Sequence, residues 1–308
     1  MTALVGYTGF VGSNIYAEGE IDAVYNSRNI REAFGTRPEL LIFAGLRAEK
    51  YLANSAPEKD LALVLEAEEN IQRICPKKLV LISSIDVFRD PKGKDETAEI
   101  ETEGLNAYGY NRYLLELWVK EHFEDPLIIR LPGLFGRNIK KNFIYDYINV
   151  IPFMLNGQKM KELSGRDPGL TGYYDRQENG FYRVKELTPE EREILKERFR
   201  KLGFSALNFT DSRSRYQFYP LERLWKDIGR ALDAGLTIWH PATEPVSAGE
   251  VYEYLTGKPF VNHLPGLPAD YDYRTKYAAL FGGTGGYISG RDEILAGIRR
   301  FVEGAGTC

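Results

Sequence analysis

The first half of the chain alternates two rhythms. Short apolar runs rich in Val, Ile and Leu occur at Ala3–Gly6, Ala23–Asn26, Leu40–Ala44, Leu79–Ser83 and Leu127–Leu131. Continuous apolar runs of this length, bounded by turn-forming residues, predict strands buried on both faces of a parallel sheet. Between them, apolar residues fall at helical spacing: Leu61, Val64, Leu65 and Ile71, with Glu68 interrupting, and then Leu114, Leu117 and Trp118. Strand and helix in alternation imply an α/β, doubly wound parallel sheet covered by helices. The stretch from Asn26 to Leu40 is short for a complete crossover unit. One strand or helix of the usual pattern is therefore expected to be reduced there.

Beyond about residue 155 the rhythm breaks. Residues 156–215 carry charged and aromatic sequence with turn signals such as Gly165-Arg-Asp-Pro-Gly169. One helix is well marked: Thr188 can cap it, Pro189 takes its first position, Glu191 completes a capping box and Gly203 ends it. Ser247 with Glu250, and Ser289 with Asp292, mark later helix starts in the same way. No internal repeat or low-complexity tract appears. The organisation expected is a first domain over 1–155 and a smaller, irregular C-terminal lobe over 156–308, some of whose segments return to the first domain.

Composition narrows the classes of function. The 308 residues are 43% apolar and 27% charged, ordinary values for a globular protein with a real core. A net charge of −4 argues against a nucleic-acid surface, which needs a basic excess. The opening residues run straight into a strand, and no apolar run approaches the length of a bilayer span. A cytoplasmic protein with no membrane partner is expected. Cys75 and Cys308 make neither a disulfide framework nor a zinc ligand set. His122, His240 and His263 are scattered without metal-ligand spacing, so no metal site is expected.

The first candidate chemistry is Gly6-Tyr-Thr8-Gly9-Phe10-Val11-Gly12, which follows the first strand and opens a helix. Glycines at these points permit a tight turn and let backbone approach a pyrophosphate, while the helix N-terminus supplies N–H groups and partial positive charge. The first domain thus reads as Rossmann-like and dinucleotide-binding. An NAD enzyme usually places an acid at the end of the second strand. Here that position reads Asn26-Ser27-Arg28. Arg28 can neutralise a 2′-phosphate, so NADP(H) is preferred, with NAD(H) as the alternative.

The glycine turn, the strand Leu79-Val-Leu-Ile-Ser83-Ser84 and Tyr108-Gly-Tyr-Asn-Arg112 stand in an order and spacing that resemble the extended short-chain dehydrogenase/reductase superfamily, the NAD-dependent epimerase/dehydratase family. Phe43-Ala44-Gly45-Leu-Arg-Ala-Glu49-Lys50, followed by Pro57-Glu58, is similar to dTDP-4-dehydrorhamnose reductases. Arg130-Leu-Pro-Gly-Leu-Phe-Gly136 resembles the sixth strand and its loop. The resemblance implies that Ala44 and Gly45 line the cofactor. It also implies Tyr108 as acid/base, Ser84 as the hydroxyl bonding the same substrate oxygen, and the residue four after the tyrosine as the cofactor-ribose contact. A tyrosine can exchange a proton near neutral pH only beside positive charge. The superfamily usually has lysine at that fourth position, and this chain has Arg112, which keeps the charge but is a poor link in a proton relay.

Asp86 stands two residues after Ser84, where sugar-nucleotide dehydratases carry a base for a hexose proton. Ile85 replaces the acid often found between them. A reductase, an epimerase or dehydratase with internally recycled cofactor, and a catalytically weak dinucleotide-binding regulatory protein all remain open at this point. On the substrate side, Arg137-Asn138-Ile-Lys140-Lys141 follows Leu127–Leu131 and could bind a diphosphate by charge-assisted hydrogen bonds. Arg47 and Lys50 could add to the same anionic site. The expected partner is therefore a small molecule, a sugar or nucleotide-sugar; the reading also admits a homodimer.

Overall fold

The computed structural model describes residues 1–305; Cys308 lies outside them. The described residues form two compact units. The first takes Met1–Ile139, Arg215–Val246 and Asp270–Gly297, and the second takes Lys140–Ser214, Ser247–Ala269 and Ile298 onward. The chain leaves the first unit at Ile139, earlier than residue 155. Phe143 and Ile144 are buried, and the Phe143 ring lies 5.9 Å from Phe260 of the second unit, which draws this segment there.

The first unit is built on a parallel sheet of six strands: β1 (Thr2–Val5), β2 (Ala23–Tyr25), β3 (Leu40–Phe43), β4 (Lys78–Ser84), β5 (Leu127–Leu131) and β6 (Ile238–Trp239). Their order in the sheet is β6-β5-β4-β3-β1-β2. Five of them match the apolar runs to within a residue or two. β6 is two residues long and carries no periodic signal. The connection from β2 to β3 is reduced to one 3-10 turn, Ile30–Ala33, as the short Asn26–Leu40 stretch requires. β2 and β3 thus flank β1 on opposite sides, Ala3 pairing with Ala23 and with Leu41. The chain changes direction at the carboxyl end of β1, the place where open α/β sheets form a crevice.

Alternate strand residues feed two cores. Leu4, Ile42, Val80 and Ile129 pack on one face with Tyr219, Leu224, Ile228 and Trp239. Ala3, Leu41, Leu79, Leu81 and Ile128 pack on the other, against two helices, α3 (Pro57–Ile74) and α4 (Ala107–His122). The helix Phe10–Glu18 is α1, and the short Lys50–Ser55 is α2. The buried stripe of α3 is Asp60, Val64, Ala67, Ile71 and Ile74, and Leu65 is exposed instead. On α4 the stripe runs through Tyr108, Arg112, Leu115 and Val119, one residue out of phase with Leu114 and Trp118, while Leu117 is exposed. The sequence periodicity follows hydrophobicity alone, and both true stripes contain a charge.

The second unit holds a three-stranded antiparallel sheet, Met154–Leu155, Tyr182–Val184 and Tyr174–Arg176. Ile151, Met160, Leu163, Leu195 and Phe199 form its core. The capping boxes at Thr188–Glu191 and Ser247–Glu250 are both formed. Ser289 does not cap the last helix: that helix begins at Arg291, whose N–H donates to Glu244, and the Ser289 hydroxyl accepts from Arg223. No helix is long and apolar enough to cross a membrane among the described residues.

Under the first unit's sheet lies a buried polar chain. Arg130 binds both Glu116 oxygens, the shortest contact being 2.6 Å, and Ser83 donates to Glu116 at 2.6 Å. Its Nη1 also faces His240 Nε2 at 3.3 Å, while His240 Nδ1 donates to Arg274 O. Burial, and then the Arg130 guanidinium, push the His240 imidazole down to about 3. The unfolded chain takes up a proton near the ordinary histidine value of about 6.5, and the folded chain does not. Stability therefore falls as pH drops through this window. Between pH 7 and pH 5 this group should remove about 2 kcal/mol. Urea titrations at the two pH values should show that loss in the wild type and a smaller one in His240→Gln.

Candidate active site

The site begins at the carboxyl end of β1. Gly6 turns the chain with φ of +91°, and a Cβ on it would lie 2.4 Å from Ala44 O. A Cβ on Gly12 would lie 2.2 Å from Gly6 O. Backbone packs against backbone at both places, so only glycine fits. Gly9 differs: it is exposed, and its Cβ would meet only Gly6 O, at 3.2 Å. Gly9 is also the N-cap of α1, with no side chain bonded across the helix end. Phe10 and Val11, half-buried, open that helix beside exposed Thr8. The result is an open cradle at a helix N-terminus, a shape that suits a pyrophosphate. Ala44 and Gly45 lie against the same turn, Ala44 N–H donating to Val5 O at 2.9 Å. Asn26 follows β2 and accepts from Arg28 N–H, leaving Ser27 and Arg28 exposed.

A second cluster forms where β4 ends. The Ser84 hydroxyl donates to Asp86 Oδ2 at 3.1 Å, beside Tyr108. Helix α4 reaches this point because Gly109 lets it close on the turn after β4: a Cβ there would sit 2.0 Å from Asp86 O. Asn106 caps the helix through Gly109 N–H, and Asn54 of α2 accepts from Tyr108 N–H at 3.1 Å. Tyr108 itself is buried. Burial pushes its phenol up, the Arg112 guanidinium opposes that, and the rise prevails.

Arg112 is held inside the fold. Both of its terminal nitrogens bind Asp60, at 3.0 and 3.1 Å, and Nη2 also donates to Arg47 O at 2.5 Å. Asn111 adds a third bond to Asp60, at 2.9 Å. The guanidinium carbon lies 4.5 Å from the Tyr108 ring centroid, so its field acts on the phenol through the ring. Lys50 stands apart from any anion-binding loop: its Nζ is 2.6 Å from Asp86 Oδ2 and 5.8 Å from the Tyr108 ring. Tyr271 donates weakly to the other Asp86 oxygen, at 3.4 Å.

The basic segment divides. Arg137 is tied through its backbone to Asn14 of α1, and Asn138 donates to Ser13 at 3.1 Å, next to the cradle. Lys140 and Lys141 belong to the second unit, where they precede the helix Phe143–Asn149. Arg47 is exposed.

No family model and no curated protein matches the chain by sequence. Solved structures do match its shape. The dTDP-4-dehydrorhamnose reductase of Bacillus anthracis, in complex with NADP, aligns with a TM-score of 0.62 at 17% identity over 98% of this chain and 97% of its own. The Yersinia enterocolitica dTDP-4-dehydrorhamnose reductase gives 0.63 at 12% identity, over 98% of each chain. The UDP-glucose 4-epimerase of Thermotoga maritima, with UDP-glucose, gives 0.61 at 13%, again over 98% of each. The chain has the fold of the extended short-chain dehydrogenases/reductases. Within that fold, the sequence pattern names the tyrosine, the serine and the glycine turn. It is silent on Asp60, Asn54, Asn111 and Tyr271. The signal for Asp60 was present: a carboxylate on the buried stripe of one helix faces an arginine on the buried stripe of the next.

The three glycines should separate on substitution. Gly12→Ala and Gly109→Ala force backbone apart and should each cost about 1–3 kcal/mol or more. Gly9→Ala should leave the thermal midpoint almost unchanged. Equal melting losses at all three would contradict this division.

Proposed function

We propose that the chain is an NADP(H)-preferring oxidoreductase acting on a carbonyl or carbinol of a sugar, and in particular a nucleotide-linked sugar. The observation that carries this reading is the pairing of an open glycine cradle at the end of β1 with a buried tyrosine beside a serine at the end of β4, two strands away. One solved structure that shares the fold is described with NADP and another with UDP-glucose, which agrees with it.

In this reading Gly6, Gly9, Gly12 and the start of α1 hold the cofactor pyrophosphate, Ala44 and Gly45 line it, and Arg28 meets the 2′-phosphate. A bound reduced nicotinamide would supply hydride for the carbonyl carbon. Tyr108 gives its phenolic proton to the carbonyl oxygen, and Ser84 donates a hydrogen bond to the same atom. Arg112 acts on Tyr108 by its field, fixed in place by Asp60. Within the first unit, Arg47, Arg137 and Asn138 remain candidates for the anionic end of the substrate. Asp86 favours reduction over elimination: its Oδ2 already holds an ammonium and a hydroxyl, and taking a carbon-bound proton there would break an ion pair.

Two outcomes test the proposal. In Gly9→Val the chain should stay folded and lose NADP⁺ binding by calorimetry, while Arg28→Ala should weaken NADP⁺ by about 1.5–3 kcal/mol and NAD⁺ far less. Undiminished binding in Gly9→Val removes the cofactor assignment. With keto-sugar nucleotides in deuterated water, each product formed should consume one NADPH and carry no solvent deuterium at the carbon beside the former carbonyl. Tyr108→Phe should be nearly inactive. Deuterium at that carbon, with no net NADPH consumed, would make the chain an epimerase or dehydratase instead.

A further inference from the structure

Among the described residues β2 is the end strand of the six-stranded sheet, with β1 on one side and no strand on the other. An open edge presents main-chain N–H and C=O groups that need partners. On the inner side Tyr25 O accepts from Gly6 N–H at 2.7 Å, which ties the end of β2 to the cradle. On the outer side the groups flanking Tyr25 are Val24 O and Asn26 N–H. The Asn29 carboxamide takes both. Its Nδ2 donates to Val24 O at 3.2 Å, and its Oδ1 accepts from Asn26 N–H at 2.8 Å. A carbonyl one residue before and an N–H one residue after are the two groups through which a strand residue takes a parallel neighbour. One side chain thus occupies the place of the next strand's main chain, opposite Tyr25.

Asn29 reaches back to do this. It stands at the start of the 3-10 turn Ile30–Ala33, where an asparagine commonly caps forward, yet its side chain makes no cap. Its main chain closes the same loop: Asn29 N–H donates to Asn26 O at 3.2 Å, while Asn26 Oδ1 accepts from Arg28 N–H at 2.9 Å. Residues 26–29 are therefore laced by main chain and by both asparagine side chains. Asn29 is half-buried, and Ser27 and Arg28 are exposed between the two asparagines.

We propose that Asn29 is a positioning residue of the cofactor site: it stands in for the neighbour that β2 lacks and fixes the turn from which Arg28 meets the 2′-phosphate. The proposal rests on the reading of Arg28 above and deepens it. These hydrogen bonds place the Arg28 main chain before any cofactor arrives, so that ordering it takes little from binding. Without the Asn29 amide the cofactor itself would have to order the turn, and the contact to the extra phosphate would weaken most. NAD⁺ lacks that phosphate, so its affinity depends far less on where Arg28 stands.

The test compares the two cofactors by calorimetry in the wild type, Arg28→Ala, Asn29→Ala and the double variant. Asn29→Ala removes two hydrogen bonds and should weaken NADP⁺ about 5–10-fold, with NAD⁺ changed by less than about twofold. In the Arg28→Ala background the same substitution should leave the ratio of the two affinities where Arg28→Ala put it, because the residue it positions is gone. A ratio that falls again there overturns the proposal, as does an unchanged NADP⁺ affinity in Asn29→Ala. Equal weakening of both cofactors also overturns it, leaving Asn29 as a cover for the sheet edge. A second measurement uses the wild type alone, without cofactor: hydrogen exchange at Asn26 N–H should be slow, although this group lies on the sheet edge. Rapid exchange there overturns the proposal too. The underlying reading fails differently and takes the proposal with it: Arg28→Ala would itself leave the ratio unchanged, while Asn26 stays protected.

Discussion

Asp60 and Arg112 are the pair on which the geometry of the site depends. Each lies on the buried stripe of its helix, and each is about as inaccessible as the leucines around it. Charges in such a position are tolerated only when paired and hydrogen-bonded. Asp60 meets that demand with Arg112 and Asn111, and Arg112 also serves the carbonyl of Arg47. The pair ties α3, α4 and the loop after β3 together at the height where the strands end. Breaking one member would leave the other as an unpaired buried charge, a cost of about 3–5 kcal/mol.

Once α4 is held in this way, its first turn is placed by backbone contact. Gly109 sits on Asp86 O with no space for a Cβ, and Asn54 and Asn106 take two of the free N–H groups at the helix start. Tyr108 is then carried to Ser84 by the helix rather than by a flexible loop. The cradle at the end of β1 follows the same rule, Gly6 against Ala44 and Gly12 against Gly6. Both halves of the site are therefore set by closely packed main chain, which a side-chain substitution elsewhere does not easily disturb.

The fold was legible because its signals are local. Strand runs, the glycine turn and the short Asn26–Leu40 connection each state their structure within a dozen residues. Ser84 and Tyr108 came forward as candidates through the resemblance that their order and spacing along the chain carry. Lys50 and Asp60 were not legible, because what matters about them is which residue from another element they face. Lys50 read as one more cation for a substrate anion, and only the folded chain sets it against Asp86. The helical stripes were misplaced for a related reason: a pattern that counts apolar residues steps around Asp60 and Arg112, although those two occupy the core positions.

Two cations flank the tyrosine, and the fold gives them different solvent. Arg112 is fixed in a closed ion pair against the ring face, so it can supply a constant field but no proton. Lys50 lies on a six-residue helix, half exposed, and its ammonium pairs with the Asp86 carboxylate. A charge that holds two helices together is kept from water, and Arg112 meets that demand four residues after the tyrosine, on the buried stripe of α4.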